Sequence, residues 1–120
     1  MKPIRPIHLH DTGAEVSNLH KGLLFLVLHQ PAISDSDRKT LQSRLAPEVR
    51  AQIYGAATTE LVGIWQNQLK NWPDYFPPLP QELKAKVRTL GASPTGRGTG
   101  DVDEVTAEAF NWLLRTFGAL

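Results

Sequence analysis

Apolar residues recur along this chain at helical spacing. From Thr58 they fall at Val62, Trp65 and Leu69, and from Thr106 at Phe110, Leu113 and Phe117. The offsets are four, seven and eleven residues in both cases, which places each trio on one helical face. A turn precedes each threonine: Tyr54-Gly55-Ala56-Ala57 in one, Gly100-Asp101-Val102-Asp103 in the other. A third stripe, Val16, Leu19, Leu23, Leu26 and Val27, predicts a helix over about 13–29. Thr12 and Glu15 fit a capping box at its start and Pro31 stops it. Ser34-Asp35-Ser36-Asp37 predicts the opening of a second helix with Leu41 and Leu45 inward, and Pro47 the first turn of a short further helix over 47–53. Thr58 or Thr59 is the expected cap of a helix running to Asn71. Pro80 and Gly91 bracket a short helix over 81–90, apolar at Leu83, Val87 and Leu90. Thr106 likewise reads as a cap, and the last helix is expected from Glu104 or Thr106 to Phe117. No alternating strand pattern appears. The expectation is therefore all-α: a small bundle of three long helices, starting near residues 13, 58 and 106, and two short ones.

Two stretches resist the helical pattern. Residues 1–11 read as an extended arm, because Pro3 and Pro6 disfavour helix; residues 12–120 then form a single helical domain. Residues 72–80 hold Pro73, Pro77, Pro78 and Pro80 with Trp72, Tyr75 and Phe76, an irregular loop whose rings either cover the bundle or face a partner. Residues 92–100 are flexible by composition. Together, residues 72–100 form an elaboration inserted before the last helix.

Composition narrows the function classes. With 120 residues and 41% hydrophobic content, the chain is long enough for a modest core. A net charge of +1 supplies no electrostatic reason to expect nucleic acid or an anionic membrane. There is no cysteine, so disulfides and thiolate metal sites are excluded. No run of about 18 apolar residues predicts a membrane span. Residues 1–10 do not read as a signal peptide. Leu120 follows directly on an apolar helix, as it would in a piece of a longer polypeptide.

Candidate chemistry is sparse. Asp101, Asp103 and Glu104 are the densest carboxylate group. An acidic helix start, favoured by the helix dipole, accounts for them better than a glycosidase pair does, and they also offer acceptors to amines or sugar hydroxyls. Gln66 suits either a ligand contact or a tie to the neighbouring turn. Trp65 lies on the core stripe, while Trp72 and Tyr75 are placed to stack on a sugar face or a partner. His8, His10, His20 and His29 lack a metal-binding spacing. Residues 96–100 lack the Lys and the preceding strand of a phosphate loop, and no nucleophile elbow appears. No enzyme activity, metal or cofactor is expected.

These residues carry a family likeness. Gly13, Val16, Leu19 and Leu23 resemble the opening of small helical peptidoglycan-binding domains, which reads Gly-x-x-Val-x-x-Leu-x-x-x-Leu. Gly55, Thr58, Val62, Trp65 and Gln66 resemble their close, a Gly-x-x-Thr turn and a Val-x-x-Phe-Gln helix, with Trp65 in the Phe position. The turn from Gly100 to Thr106 is similar to the Gly-x-Val-Asp-x-x-Thr turn before their last helix, followed here by Phe110 and Leu113. The likeness covers about residues 8–71 and 98–118. More narrowly, 9–13, 45–55 and 100–114 resemble the N-terminal segment of large bacterial proteins related to the A subunits of insecticidal toxin complexes. The resemblance implies a peptidoglycan-binding-like fold. It also implies a non-catalytic module within a larger secreted or surface bacterial protein, binding cell-wall peptidoglycan or muropeptides. Gln66, Asp101, Asp103, Trp72 and Tyr75 are its candidate contacts. The alternative is a docking or assembly domain that keeps the fold without the glycan, with a partner protein or other domains of the same polypeptide as its target.

Overall fold

Each apolar stripe becomes the inner face of a helix. A computed structural model describes residues 1–29, 33–71, 78–91 and 98–120, and five helices run through them: α1 (Ala14–His29), α2 (Asp35–Ala51), α3 (Ala56–Lys70), α4 (Gln81–Val87) and α5 (Glu104–Thr116). Val16, Leu19, Leu23, Leu26 and Val27 of α1 meet Val62, Trp65 and Leu69 of α3 and Phe110, Leu113 and Leu114 of α5 in one core. The α4 residues Leu83 and Val87 extend it, flanked by Leu79 and Leu90. The described residues form no named strand, only isolated bridges between Ile7 and Val102 and between Thr12 and Ile53. None of their helices is long and apolar enough to cross a membrane. The expected stop at Pro31, and the loop residues 72–77, lie outside the described residues.

The structure corrects the second helix. The expected break at Pro47 is absent: α2 passes through it and is the longest helix, at 17 residues. It therefore joins α1, α3 and α5 as a long helix and leaves α4 as the one short helix among the described residues. Ser34 caps α2 as expected, its hydroxyl accepting from the Asp37 amide at 3.1 Å. The helix ends at Gln52, which turns left-handed (φ +54°) and donates its amide back to Val49. Pro47 survives inside because its ring faces solvent and α2 is anchored on both sides of it, by buried Leu45 and by Glu48.

The arm is extended only over residues 1–7, since residues 8–11 close a turn with His10 at φ +77°, and the extended part belongs to the core. Ile4 and Ile7 are buried with the helix stripes, so residues 1–7 act as a strap across the bundle. Asn18 of α1 accepts from the Lys2 amide at 3.1 Å and donates to the Lys2 carbonyl at 2.8 Å. Asn111 of α5 does the same for Ile4, at 2.7 and 2.9 Å. Ile7 then exchanges two backbone bonds with Val102. Gly22 of α1 makes room, since a Cβ there would stand 2.9 Å from Ile4 Cδ1.

Replacing Pro47 by Ala restores a helix donor and removes the ring from the preceding turn. The expected outcome is a gain of up to about 3 kcal/mol in chemical denaturation, with no loss of helicity by circular dichroism. A loss of stability would show that the ring itself contributes to packing.

Candidate functional site

A helix starts with amide N–H groups that have no partner within the helix. At α3 the residue in the cap position is Gly55, which has no side chain to offer. The expected caps, Thr58 and Thr59, stand inside the helix instead. The acceptor comes from α2: Glu48 Oε1 accepts from the amides of Gly55 and Thr58, both at 2.9 Å, and from Thr58 Oγ1 at 2.6 Å. Oε2 accepts from the Ala57 amide at 2.8 Å. The left-handed turn at Gln52 brings this side chain back over the start of α3. Burial pushes the Glu48 carboxyl up, but the four donors outweigh it and hold it below the usual carboxylate range.

A buried histidine completes the arrangement. His20 Nε2 lies 2.8 Å from Thr58 Oγ1. The Thr58 hydroxyl donates to Glu48, so it accepts from His20, and the order of the bonds places the imidazole proton on Nε2. His20 Nδ1 is buried and has no partner. Desolvation lowers the His20 pKa, partly opposed by the nearby Glu48 charge, and a proton on Nδ1 would be a buried donor facing no acceptor.

The start of α5 repeats the design. Its cap is Asp103 rather than Thr106, with Oδ1 accepting from the Thr106 amide at 2.7 Å. Thr106 is the third residue of α5, as Thr58 is of α3, and its hydroxyl too is held by the preceding long apolar helix. Gln66 Nε2 donates to Thr106 Oγ1 at 2.9 Å and to the Asp101 carbonyl at 2.7 Å, while Gln66 Oε1 accepts from the Gly100 amide at 2.9 Å. Glycine is required in this turn. A Cβ on Gly98 would come within 2.3 Å of Gln66, and Gly100, at φ +85°, lies against Thr59. Tyr54 is buried and donates its hydroxyl to the Gly100 carbonyl, and burial raises its pKa well above that of a free phenol.

The structure thus divides the sequence-expected contacts. Gln66 is 1% exposed, and its side-chain amide is taken up in tying the turn. Asp101 is half-buried and Asp103 exposed, both at the surface where the starts of α3 and α5 meet. Trp72 and Tyr75 lie outside the described residues. Trp65 is buried in the core, with Nε1 unpaired. Gly13, at φ +101°, turns the chain into α1, and Thr12 pairs with Ile53 through the backbone while Glu15 lies 3.7 Å from Arg5. His8, His10 and His29 are exposed; His29 stacks on Phe25 at 4.0 Å between ring centroids. Sequence reasoning missed Glu48 and His20. A signal for His20 was present: Val16-x-x-Leu19-His20 matches Val62-x-x-Trp65-Gln66, and both end on the side chain that holds a threonine. No protein-family model matches the chain, and no curated protein or solved structure matches it either.

Two outcomes follow from this geometry. Gln66→Ala leaves the Gly100 amide and the Asp101 carbonyl without their partner, and should cost about 2–4 kcal/mol in denaturant unfolding. An unchanged midpoint would show that these bonds do not hold the turn. The His20 pKa is lower in the folded than in the unfolded chain, so its stabilising contribution is full above about pH 6.5 and falls as the pH drops below that. His20→Gln, which copies the Gln66 arrangement, should flatten the stability profile between pH 7 and 5, leaving the loss that begins near pH 4.5 as Glu48 titrates.

Proposed function

We propose that this chain is a non-catalytic binding module of a larger bacterial secreted or cell-surface protein, and that its ligand is peptidoglycan or a muropeptide fragment. The observation that carries the reading is the paired helix start. The residues that resemble the peptidoglycan-binding pattern, Gly55, Thr58, Val62 and Trp65 and the turn from Gly100 to Thr106, converge on one end of the bundle through Gln66 and Tyr54. Asp101 and Asp103 stand at the surface there, beside exposed Glu104, with one oxygen of Asp103 held by the Thr106 amide. Their carboxylates offer acceptors to the amines of a stem peptide or to sugar hydroxyls. Binding is passive in this reading: the buried bonds hold the turn in one shape, and the surface carboxylates meet the ligand.

A docking or assembly domain is the second reading. The interior position of Gln66 favours it, because the motif residues then serve the fold and leave less chemistry for a glycan. In that case Trp72 and Tyr75 would be anchors for a partner protein.

Co-sedimentation with insoluble peptidoglycan separates the two. Pelleting that free muropeptides compete away, and that weakens by about tenfold in Asp101→Asn/Asp103→Asn, is the expected result; a change of that size corresponds to about 1.4 kcal/mol. Asn is chosen at 103 because it keeps the helix cap while removing the charge. Pelleting no greater than that of a helical protein of matched charge would sink the wall-binding reading in favour of docking.

A further inference from the structure

Residues 2–7 read Lys-Pro-Ile-Arg-Pro-Ile, one basic–proline–isoleucine triplet repeated. A polyproline II chain has three residues per turn, so such a repeat puts both isoleucines on one side and both basic residues on another. Burial follows that division. Ile4 and Ile7 are each 4% exposed, while Lys2 and Arg5 face solvent. The groove between α1 and α5 addresses the strap through its main chain. Asn18 and Asn111 bind both the N–H and the C=O of Lys2 and Ile4 respectively, and Asn18 Nδ2 also reaches the Pro3 carbonyl at 3.4 Å. It asks no N–H of Pro3 or Pro6, which have none. Gly22 opens the space for Ile4. The groove thus reads an extended main chain and two apolar side chains, and residues 1–7 of the chain fill it.

We propose that the groove also accepts the same strap from a second copy of the chain, so that two molecules exchange residues 1–7 into a reciprocally strapped dimer. The occupant is identical, so every bond described above is kept in the exchange. What differs is the hinge. In the monomer, residues 8–11 close a tight turn, with the Asp11 amide bonded to the His8 carbonyl at 3.0 Å and the His8 amide to Asp11 Oδ2 at 2.8 Å. His10 occupies the third position of that turn at φ +77°, where a side chain is disfavoured and glycine preferred. Opening the turn to reach a second copy releases that strain in return for the turn's two bonds and the bond from the His10 amide to the Tyr54 carbonyl at 2.9 Å, so exchange shows at high protein concentration. Exchange of this kind is a low-cost route to dimers, since no new surface has to be built.

The test uses the full chain. A tethered strap competes at an effective concentration on the order of millimolar, so the protein is equilibrated at about that concentration and analysed by size-exclusion chromatography with light scattering. A species of twice the 13.3 kDa monomer mass is expected. His10→Gly relaxes the closed turn and should lower the dimer fraction, on the order of tenfold for each turn released. Arg5 and Glu15 lie 3.7 Å apart and the chain has no cysteine of its own. A short bis-maleimide should therefore join Arg5→Cys in one copy to Glu15→Cys in another once the straps cross. A chain that stays monomeric throughout overturns the proposal. So does a dimer that gives no such cross-link and ignores His10→Gly, which would use another face. Binding of a synthetic peptide of residues 1–8 with no dimer formed would assign the groove to a foreign peptide and also overturn it.

Discussion

The need to satisfy the first amides of α3 and α5 governs this structure more than any single apolar contact. Hydrophobic stripes bring helices together but tolerate sliding. Directional bonds do not. Glu48 fixes where α3 begins relative to α2, His20 fixes it relative to α1, and Gln66 fixes α5 relative to α3. Each bond ends on the third residue of a helix, so each sets register as well as distance. A buried amide or carboxylate left without these partners would lose more than the net worth of one bond, which is why the polar pattern specifies one arrangement of the bundle.

The two helix starts are alike in plan and differ in chemistry. One uses a glutamate from another helix and a histidine; the other uses the adjacent aspartate and a glutamine. Gln66 satisfies its partners with a neutral amide at any pH. His20 does the same job with a group that titrates, and it leaves one ring nitrogen unpaired. The α1–α3 contact is therefore the joint expected to weaken first as the pH falls below about 6.5, ahead of the α2–α3 contact held by Glu48.

The sequence was most legible where the period was regular. The stripes of α1, α3 and α5 announce their helices, and the described structure agrees with them to within a residue or two at most ends. The errors have local causes. Pro47 suggested a break because propensity is counted residue by residue, whereas α2 is anchored on both sides of it. Thr58 and Thr106 suggested caps because capping is usually local, yet the acceptor for α3 stands ten residues before Thr58. Ile4 and Ile7 escaped notice because their period of three fits neither helix nor strand. At the candidate site, Asp103 was recognisable as part of an acidic helix start, and Gln66 as either a ligand contact or a tie. The fold decides for the tie, since burial depends on residues 98–103 folding back over α3.

That fold-back changes what the segment after α3 means for the architecture. The Gly98 amide bonds to the Gly63 carbonyl at 3.0 Å, so the chain leaves α3 at its end and returns to the same helix near its middle. Between the two moorings stands α4, whose Leu83 and Val87 belong to the core. At seven residues it is too short to hold as a helix by itself, so the moorings on α3 before and after it in sequence are what keep that end of the core closed.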